Sequence, residues 1–432
     1  MKYYFIGIKG TGMAALAVML HDLGNEVCGS DLESHFFTED ELVARNIKIY
    51  PFDENNIKEE YTVIIGNAFL EDFPEVIKAR QLCKCYRYHE FLGELTKQYD
   101  TVSICGSHGK TTTTTIAKTV FSEFDKTAYL IGDGEGFLEK DSKYLCVESD
   151  EFRRHFITNH PKWAIITNIE IDHVDYFKDE QDYFNAYQEF VRNVKNAVFY
   201  HGDDEWCKQL VIDVDSYSFG ISENNDYYPS NLVTTNENTS FDLMYKGQFI
   251  YHYNLPFVGR HLLIDSLGVI SLANYLSFEH ERVEKALKSY HGPKRRYIIE
   301  EYKNTIFIDD YAHHPTEVKV TIEASKLRYP DRKIIAIFKP HRASRVLYFA
   351  EEFKDALSLA DKVYLLDFTS IDDKQDGTDI DISYLANMLD GSIILSEDDK
   401  GAEILAKHKG ECLLFMSSKD IYHLANKVKE II

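Results

Sequence analysis

Long apolar runs are missing from this 432-residue sequence, and so is an excess of positive charge. No apolar run approaches the roughly 18 residues that a membrane-spanning helix needs, so we expect no membrane insertion. The formal net charge of -23 would repel the phosphates of nucleic acid, because nonspecific binding requires a basic surface. Backbone amides and a few cations can still bind an anionic nucleotide locally, so only nucleic acid is excluded as a partner.

Cysteine is sparse as well, with seven residues scattered along the chain. The closest pair, Cys83 and Cys85, lacks the spacing of a redox or zinc motif, so we expect reduced thiols. The first residues reach glycine at Gly7 without the charged and long apolar regions of a secretion signal. These features predict a cytoplasmic protein.

The length of the chain predicts about three domains. Strands and helices alternate throughout, which predicts an α/β fold with parallel sheets and right-handed crossovers. A polar stretch before Thr101 and the His291-Gly292-Pro293 turn mark two boundaries. We therefore predict domains at 1–99, 100–292 and 293–432, with an antiparallel excursion at about 216–253.

The strongest motif is a compact glycine loop, which follows the predicted strand Thr101 to Cys105. Gly106 and Gly109 would turn backbone amides toward phosphate oxygens, while Lys110 supplies a cation and the Thr111 hydroxyl can hold magnesium. We predict phosphate binding by Gly106, Ser107, His108, Gly109, Lys110, Thr111 and Thr112. The loop departs from GxxxxGK[ST], because Ile104 occupies the position of the first glycine. The alternative is a glycine turn before a helix.

A second glycine motif opens the chain, from Gly7 to Gly12. Its GxxGxG spacing differs from the GxGxxG dinucleotide pattern, although a diphosphate could bind at the N-terminus of the following helix. The alternative is a purely structural turn.

Acidic and histidine side chains follow two further predicted strands, at Glu148 and at His173. Ligands bind at the carboxyl ends of the strands in α/β sheets, and a carboxylate with a neutral imidazole suits magnesium or manganese beside a triphosphate. A structural histidine is the alternative.

The third segment carries two more polar motifs. Asp309-Asp310-Tyr311-Ala312-His313-His314-Pro315 follows a predicted strand, where acids and histidines can contact a ribose or a reactive group. Arg342 and Arg345 could bind a carboxylate or neutralise phosphoryl charge. The alternative for both motifs is a solvated run of charge.

Together these motifs resemble the Mur ligase family, especially its branch that joins L-alanine to UDP-N-acetylmuramate. The matching segments span all three predicted domains: Gly7–Met13, Gly29–Asp31, the glycine loop, Thr167–Ile169 with Asp172-His173, Lys294–Arg296, Asp309–Glu317, and Pro340–Arg342 with Arg345. The resemblance implies a Rossmann-like UDP-sugar domain, a central P-loop ATPase-like domain and a Rossmann-like C-terminal domain.

The resemblance also implies ATP and Mg²⁺ (or Mn²⁺) as cofactors, with UDP-N-acetylmuramate and L-alanine as substrates of a monomer or homodimer. ATP would be contacted by the glycine loop with Asp309 and Asp310. Metal would be held by Thr111, Glu148 and His173. The UDP-sugar would be bound by Gly10, Thr11, Gly12, Met13, Ser30, Asp31 and Asn67. Catalysis would involve Lys110, His173, Arg295, Arg296, His313, Arg342 and Arg345.

The sequence departs from the family pattern at several positions. Leu262 and Asp265 replace two asparagines that read the adenine edge, which predicts altered adenine recognition. Lys339 replaces a glutamine, and Ser417-Ser418-Lys419 replaces a glycine-containing turn. Two alternatives therefore stay open: a paralogue that uses another amino acid, peptide or sugar acid, and a non-catalytic UDP-sugar-binding regulator.

Overall fold

The computed structural model describes residues 1–174, 176–293, 296–369, 373 and 377–432. Within those residues three sheets follow one another along the chain, with helices packed around them. The predicted three-domain α/β fold is therefore confirmed. No helix in the described ranges is long and apolar enough to cross a membrane.

The N-terminal domain is built on a five-stranded parallel sheet in the order β3-β2-β1-β4-β5. Its strands are β1 (Lys2–Ile6), β2 (Glu26–Ser30), β3 (Lys48–Tyr50), β4 (Thr62–Ile65) and β5 (Lys84–Arg87). Its helices are α1 (Thr11–Asp22), α2 (Glu39–Ala44), α3 (Pro74–Leu82) and α4 (Tyr88–Thr96). The order reverses at β1, so the loops after β1 and β4 flank a crevice suited to a ligand.

Helix α1 joins this domain to the next one. Every residue from Met13 to Leu20 is buried, because a helix that is apolar on all sides must be covered on all sides. One side packs on the N-terminal sheet, and the other contacts Leu130 and Leu138 of the central domain within one hydrophobic cluster. Contact with the central domain thereby fixes the position of α1.

The central domain contains, within its described residues, a ten-stranded sheet in the order β15-β14-β13-β12-β11-β10-β6-β9-β7-β8. Its strands are β6 (Asp100–Cys105), β7 (Thr127–Leu130), β8 (Gly136–Phe137), β9 (Tyr144–Glu148), β10 (Trp163–Ile166), β11 (Ala197–His201), β12 (Asp215–Phe219), β13 (Tyr227–Thr234), β14 (Thr239–Tyr245) and β15 (Gln248–Leu255). Its helices are α5 (Lys110–Phe124), α6 (Glu180–Val191), α7 (Arg260–Tyr275) and α8 (His280–Lys288).

The antiparallel excursion lies in this domain, with one difference in its extent. Strands β13, β14 and β15 form an antiparallel meander, whereas β12 runs parallel to both β11 and β13. Polar and apolar residues alternate in β14, whose burial pattern is typical of a sheet with one face on the core.

The C-terminal domain contains, in the part that is described, a six-stranded sheet in the order β16-β17-β21-β18-β19-β20. Its strands are β16 (Ile298–Tyr302), β17 (Thr305–Asp310), β18 (Ile334–Phe338), β19 (Lys362–Leu366), β20 (Ile393–Leu395) and β21 (Cys412–Met416). Its helices are α9 (Pro315–Arg328), α10 (Ala343–Tyr348), α11 (Ala350–Leu357), α12 (Ser383–Ala386), α13 (Asp399–Ala406) and α14 (Tyr422–Ile431). Among the described strands of this sheet only β16, at the edge, is antiparallel to its neighbour, and the sequence had not indicated it.

Apolar contact continues from the central domain into the C-terminal domain. Cys105 and Ile166 of the central sheet belong to the same buried cluster as Ile308 and Phe338 of the C-terminal sheet. Burial of this surface favours close packing of the two domains. The carboxyl ends of β6, β9 and β10 therefore face the C-terminal domain.

The buried side of the meander gives a test of the fold. Phe241 of β14 is 0% exposed and stacks on Tyr253, whereas Phe249 of β15 is 59% exposed. We expect Phe241→Ala to lower the free energy of unfolding of the central domain by about 3–5 kcal/mol through loss of burial and the cavity it leaves. The matched Phe249→Ala change should alter it by less than about 0.5 kcal/mol. Urea unfolding followed by circular dichroism measures both, and equal effects would contradict the assigned faces.

Candidate active site at the glycine loop

The glycine loop joins the buried strand β6 to helix α5. Gly106 and Gly109 have φ angles of 140° and 77°, which side chains other than glycine adopt at a cost. A Cβ on Gly109 would also collide with the carboxylate of Asp265. The loop thus turns its amides around the N-terminus of α5, where the partial positive charge of the helix favours an anion.

Lys110 is the buried cation of the loop. Its Nζ lies 2.8 Å from Glu151 Oε2 and donates to the Gly106 carbonyl oxygen at 2.6 Å. Burial disfavours the charge, but the negative charge of Glu151 outweighs burial and raises the pKa of Lys110. The ammonium is therefore charged at neutral pH, and it donates to the Gly106 and Ser107 carbonyl oxygens as well as to Glu151.

Ser107 and His108 anchor the loop to the segment after β10. The Ser107 hydroxyl donates to the Glu170 carbonyl oxygen at 2.5 Å and accepts from the Glu170 amide at 2.9 Å. The His108 amide donates to Asn168 Oδ1 at 2.9 Å. Ser107 therefore supports the loop from beneath, while Thr112 lines the large cavity described below.

The His108 imidazole links the central and C-terminal domains. Its Nε2 lies 3.1 Å from Glu170 Oε2, and its Nδ1 lies 3.6 Å from Glu317 Oε1 of α9. The Thr316 hydroxyl donates to Glu170 Oε2 at 2.8 Å. The centre of the His314 ring lies 4.4 Å from the centre of the His108 ring. We call His108, Glu170, His314, Thr316 and Glu317 the interdomain latch.

Two groups of ligand atoms flank Lys110 where the resemblance implies metal. The Thr111 hydroxyl donates to Glu148 Oε1 at 3.1 Å, and ligand atoms of Asp150, Glu151 and His173 lie within 4.8 Å of one another. His173 Nδ1 is buried and has no hydrogen-bond partner among the described residues. Oxygen donors with a free imidazole nitrogen fit magnesium or manganese, so the residues present suit the implied ion.

Arg345 crosses the domain boundary to the motif that contains His173. Its Nη2 lies 2.7 Å from Asp172 Oδ1, and both side chains are buried. Burial opposes the charge of Asp172, but Arg345 outweighs burial and holds the pKa of that carboxyl well below its usual range. Arg342 has a φ angle of 65° and places its guanidinium 5.9 Å from the centre of the Phe152 ring, beside His173. Both arginines thus reach the metal side of Lys110.

A cavity of about 860 Å³ opens on the other side of the loop. It is lined by Gly109 and Thr112 at the loop and the start of α5, by Arg260 at the start of α7, by Tyr290 after α8, and by Ala324 of α9. Arg296 also lines it, 3.5 Å from Glu317 Oε1 and stacked over Tyr311. The volume and position suit a nucleoside triphosphate whose phosphates meet the loop.

The two aspartates predicted to contact ATP have different positions. Asp310 lines the cavity and accepts from the amides of Tyr297 at 2.7 Å and Ala312 at 2.8 Å. Burial raises its pKa to about 6 against the opposing charge of Arg296. Asp309 precedes it in β17, so its side chain points to the other face of the sheet. His313 contacts Glu317, with Nδ1 at 3.1 Å from Oε2.

Leu262 and Asp265, the two departures from the family pattern, both line the cavity. Burial raises the pKa of Asp265 to about 8, against a smaller opposing effect of the neighbouring Thr113 side chain. At neutral pH this carboxyl is largely protonated and can donate as well as accept a hydrogen bond. The side chain can therefore serve as a partial substitute for the amide that the family pattern has here.

A smaller cavity of about 470 Å³ lies in the crevice of the N-terminal domain. Of the residues predicted to bind the UDP-sugar, it is lined by Gly10, Thr11, Gly12, Met13, Asp31 and Asn67. Ser30 is buried elsewhere and donates to Glu75 Oε2 at 2.5 Å. The cavity is also lined by Phe36, Phe37 and Tyr88, which the sequence analysis missed although an exposed Phe-Phe pair is an unusual signal.

The sequence also singled out Lys294, Arg295, Lys339 and Ser417. Lys294 and Arg295 lie outside the described residues. Lys339 is buried against Glu397, at 2.7 Å, so its charge is neutralised within the C-terminal domain. Ser417 accepts from the Lys419 amide at 3.0 Å and closes the turn after β21 without glycine. Glu151, Glu170 and Glu317 were not predicted from the sequence, because only the fold brings them to the loop.

The latch predicts a dependence of stability on pH. Burial opposes the charge of His108, but hydrogen bonds to Glu170 and Glu317 raise its pKa from 6.5 to about 10. Its contribution is complete below pH 6.5 and is lost as the pH rises to about 10. The pKa of Glu170 is lowered from 4.5 to about 2, where burial is outweighed by His108, so that contribution is lost only as the pH falls below 4.5.

We therefore expect the free energy of unfolding to fall by roughly 1–3 kcal/mol between pH 6.5 and pH 8.5 through His108. In His108→Gln, which cannot carry the charge, this part of the decline should disappear. Urea unfolding of both proteins at the two pH values measures the difference. The same decline in both proteins would show that the latch charge does not contribute.

Comparison with known proteins assigns this arrangement to a family. The catalytic-domain profile of the Mur ligase family matches residues 2–100, the Mur ligase middle domain matches residues 104–273, and the Mur ligase glutamate ligase domain matches residues 294–418. These three profiles of one family account for most of the chain.

Solved structures share the fold along almost the whole chain. The UDP-N-acetylmuramate-alanine ligase MurC of Thermotoga maritima is 24% identical with a TM-score of 0.82, over 100% of this chain and 99% of that one. A murein peptide ligase of Psychrobacter arcticus is 20% identical with a TM-score of 0.73, over 100% and 99%. MurF of Thermotoga maritima, in complex with ADP, is 17% identical with a TM-score of 0.66, over 94% of each chain. The chain belongs to the Mur ligase family of ATP-dependent peptidoglycan ligases.

Proposed function

We propose that the protein joins L-alanine to the lactyl carboxylate of UDP-N-acetylmuramate, with ATP hydrolysed to ADP and phosphate. The observation that carries the proposal is the charged Lys110 at the glycine loop, with the implied metal ligands beside it and the arginines of the C-terminal domain next to those ligands. This arrangement suits phosphoryl transfer to a carboxylate. The sequence of Asp309–Glu317 resembles both the alanine-adding branch and the closely related muropeptide-recycling ligases, and L-alanine is chosen because the other motifs of the chain resemble the alanine-adding branch most.

In the first step a lactyl carboxylate oxygen attacks the γ-phosphorus of ATP, and the bond to the β-phosphate oxygen breaks. Lys110 and the amides of the loop stabilise the charge on the transferring group. Metal ions, one held by Thr111 and Glu148 and the other by His173, would supply further charge neutralisation when bound. The product is an acyl phosphate, whose phosphate is a far better leaving group than carboxylate oxygen.

In the second step the amine of L-alanine attacks the acyl carbon, and the tetrahedral intermediate expels phosphate. Arg342 lies near the cluster around His173 and can neutralise the departing phosphate. Arg345 is held by Asp172, so its main effect is to keep the C-terminal domain against this cluster. Contact between the domains excludes water that would hydrolyse the acyl phosphate.

A different acceptor amino acid or peptide is the second candidate within the family, and the murein peptide ligase fold is compatible with it. The pairing of Lys339 with Glu397 removes the charge that favoured it. A non-catalytic UDP-sugar binder is the third candidate. It is favoured by Leu262, which lines the cavity where the family pattern has an asparagine. These candidates are separated by the acceptor that supports turnover.

We expect phosphate release from ATP to require UDP-N-acetylmuramate and L-alanine together, in the presence of Mg²⁺. Lys110→Met should reduce kcat by at least about a hundredfold, because it removes a charge at the transferring phosphoryl group. Lys118→Met is the matched control on the same helix, since Lys118 pairs with Glu135 away from the loop. Release supported only by another amino acid would overturn the choice of alanine, and UDP-sugar binding without release would overturn catalysis.

Leu262 and Asp265, which both line the large cavity, give separate predictions. Leu262→Asn should tighten ATP binding about fivefold, because it adds a hydrogen-bonding group where leucine has none. Calorimetric titration with ATP measures the change, with UDP-N-acetylmuramate as the control ligand whose affinity should stay the same.

We expect Asp265→Asn to remove the loss of ATP affinity that ionisation of Asp265 causes above about pH 8. Unchanged ATP affinity in both variants would show that these positions do not contact the base.

A further inference from the structure

A second histidine cluster lies apart from the glycine loop, at the boundary between the N-terminal and central domains. Asn67, which follows β4 and lines the smaller cavity, is within hydrogen-bond distance of two imidazole rings. Its Nδ2 is 3.2 Å from His155 Nδ1, and its Oδ1 is 3.1 Å from His89 Nδ1. The two rings stack with their centres 4.4 Å apart and 13° between their planes.

The amide can satisfy both rings in only one pattern of protons. One end of an amide donates and the other accepts, so one of the two Nδ1 atoms must carry a proton and the other must not. Reversing the amide exchanges the two rings but leaves this requirement unchanged. The accepting ring must therefore be neutral, and the arrangement fixes the direction in which the amide presents its remaining hydrogen-bonding sites.

The environment keeps the rings neutral. Burial lowers the pKa of His155 to about 4, with a further contribution from His89, and burial also lowers the pKa of His89. Charged groups of both signs face the pair: Glu90 and Arg87 face His89, and Asp150 and Arg153 face His155.

His155 reaches the cluster from the other domain on an unusual backbone. Arg153 and Arg154 directly before it have φ angles of 51° and 61°, and side chains rarely adopt that conformation without outside support. Arg154 Nη2 donates to Asp182 Oδ1 at 2.5 Å, which holds the segment Phe152–Thr158. The Thr158 hydroxyl donates to the His89 carbonyl oxygen at 2.7 Å, and Gly93 of α4 leaves room for this close approach.

We infer that His89 and His155 are positioning residues, which aim the Asn67 amide at the nucleotide-sugar and so make its binding depend on contact with the central domain. The inference rests on the proposed function for the identity of the ligand. It adds that two side chains outside the cavity control the affinity of the cavity for a UDP-sugar. Neither residue touches the reacting atoms, so the chemical step should be unaffected.

The test is a double-mutant cycle read by calorimetric titration with UDP-N-acetylmuramate, without ATP or L-alanine. His155→Phe keeps a stacked ring but removes the acceptor, and we expect it to weaken binding about tenfold. Asn67→Ala should weaken binding by a similar factor, and His155→Phe should add nothing in the Asn67→Ala background. His155→Gln, which restores an amide partner, should recover most of the affinity. KM should follow the dissociation constant, while kcat stays within about twofold.

His160→Phe is the matched control, since His160 lies in the same region and bonds to Thr96 only through its backbone amide. Its affinity should equal that of the wild type. His89→Phe gives a second approach to the cycle from the N-terminal domain, so the test does not depend on the folding of one variant. Thermal unfolding of each protein shows which variants are folded.

Independent, multiplying effects of His155→Phe and Asn67→Ala would overturn the inference, because they would show a merely structural role. Unchanged affinity in both His155→Phe and His89→Phe would overturn it as well. The proposed function fails on a different observation, which is the absence of phosphate release dependent on alanine. A wild-type protein that binds neither UDP-N-acetylmuramate nor UDP would overturn both.

Discussion

A buried ammonium must be balanced by negative charge, and the arrangement around Lys110 follows from that constraint. Glu151 provides the balancing carboxylate, and its other oxygen lies 3.8 Å from His173. The neighbouring Asp172 in turn binds Arg345 of the C-terminal domain. Opposite charges are therefore paired both at the glycine loop and at the boundary with the last domain. Each buried charge in these two pairs is stable only because its partner compensates it.

The same constraint explains why the domains meet where they do. Apolar burial between the central and C-terminal sheets is large but carries no direction. The interdomain latch and the Asp172–Arg345 pair supply the directional contacts that place α9 and α10 against the loop. At the other boundary, α1 supplies the apolar surface, while Asn67 and the two histidines supply the directional contacts. Both cavities thus have walls that are fixed by a neighbouring domain.

The sequence predicted local features well and distant partners poorly. The glycine loop, the strand before it and the antiparallel meander were recognisable because each depends on residues adjacent in the chain. Ser30 and Asp309 stand in motifs of the right kind, yet the structure turns their side chains away from the cavities. Glu170 and Glu317 were missed, because nothing near them in the chain indicates that one histidine would contact both. Strand β16 was missed because it lies at an edge and is only partly buried.

By itself the sequence determined the fold class, the glycine loop with Lys110, and the departures at Leu262 and Asp265, because backbone geometry and side-chain chemistry are local properties. Only the tertiary structure decided which carboxylate balances Lys110, that Glu397 neutralises Lys339, and that Asn67 is within hydrogen-bond distance of two histidines. Those partners are separated by tens of residues or more along the chain. Their pairing depends on how whole sheets pack, and burial makes each of those pairings necessary once the sheets have packed.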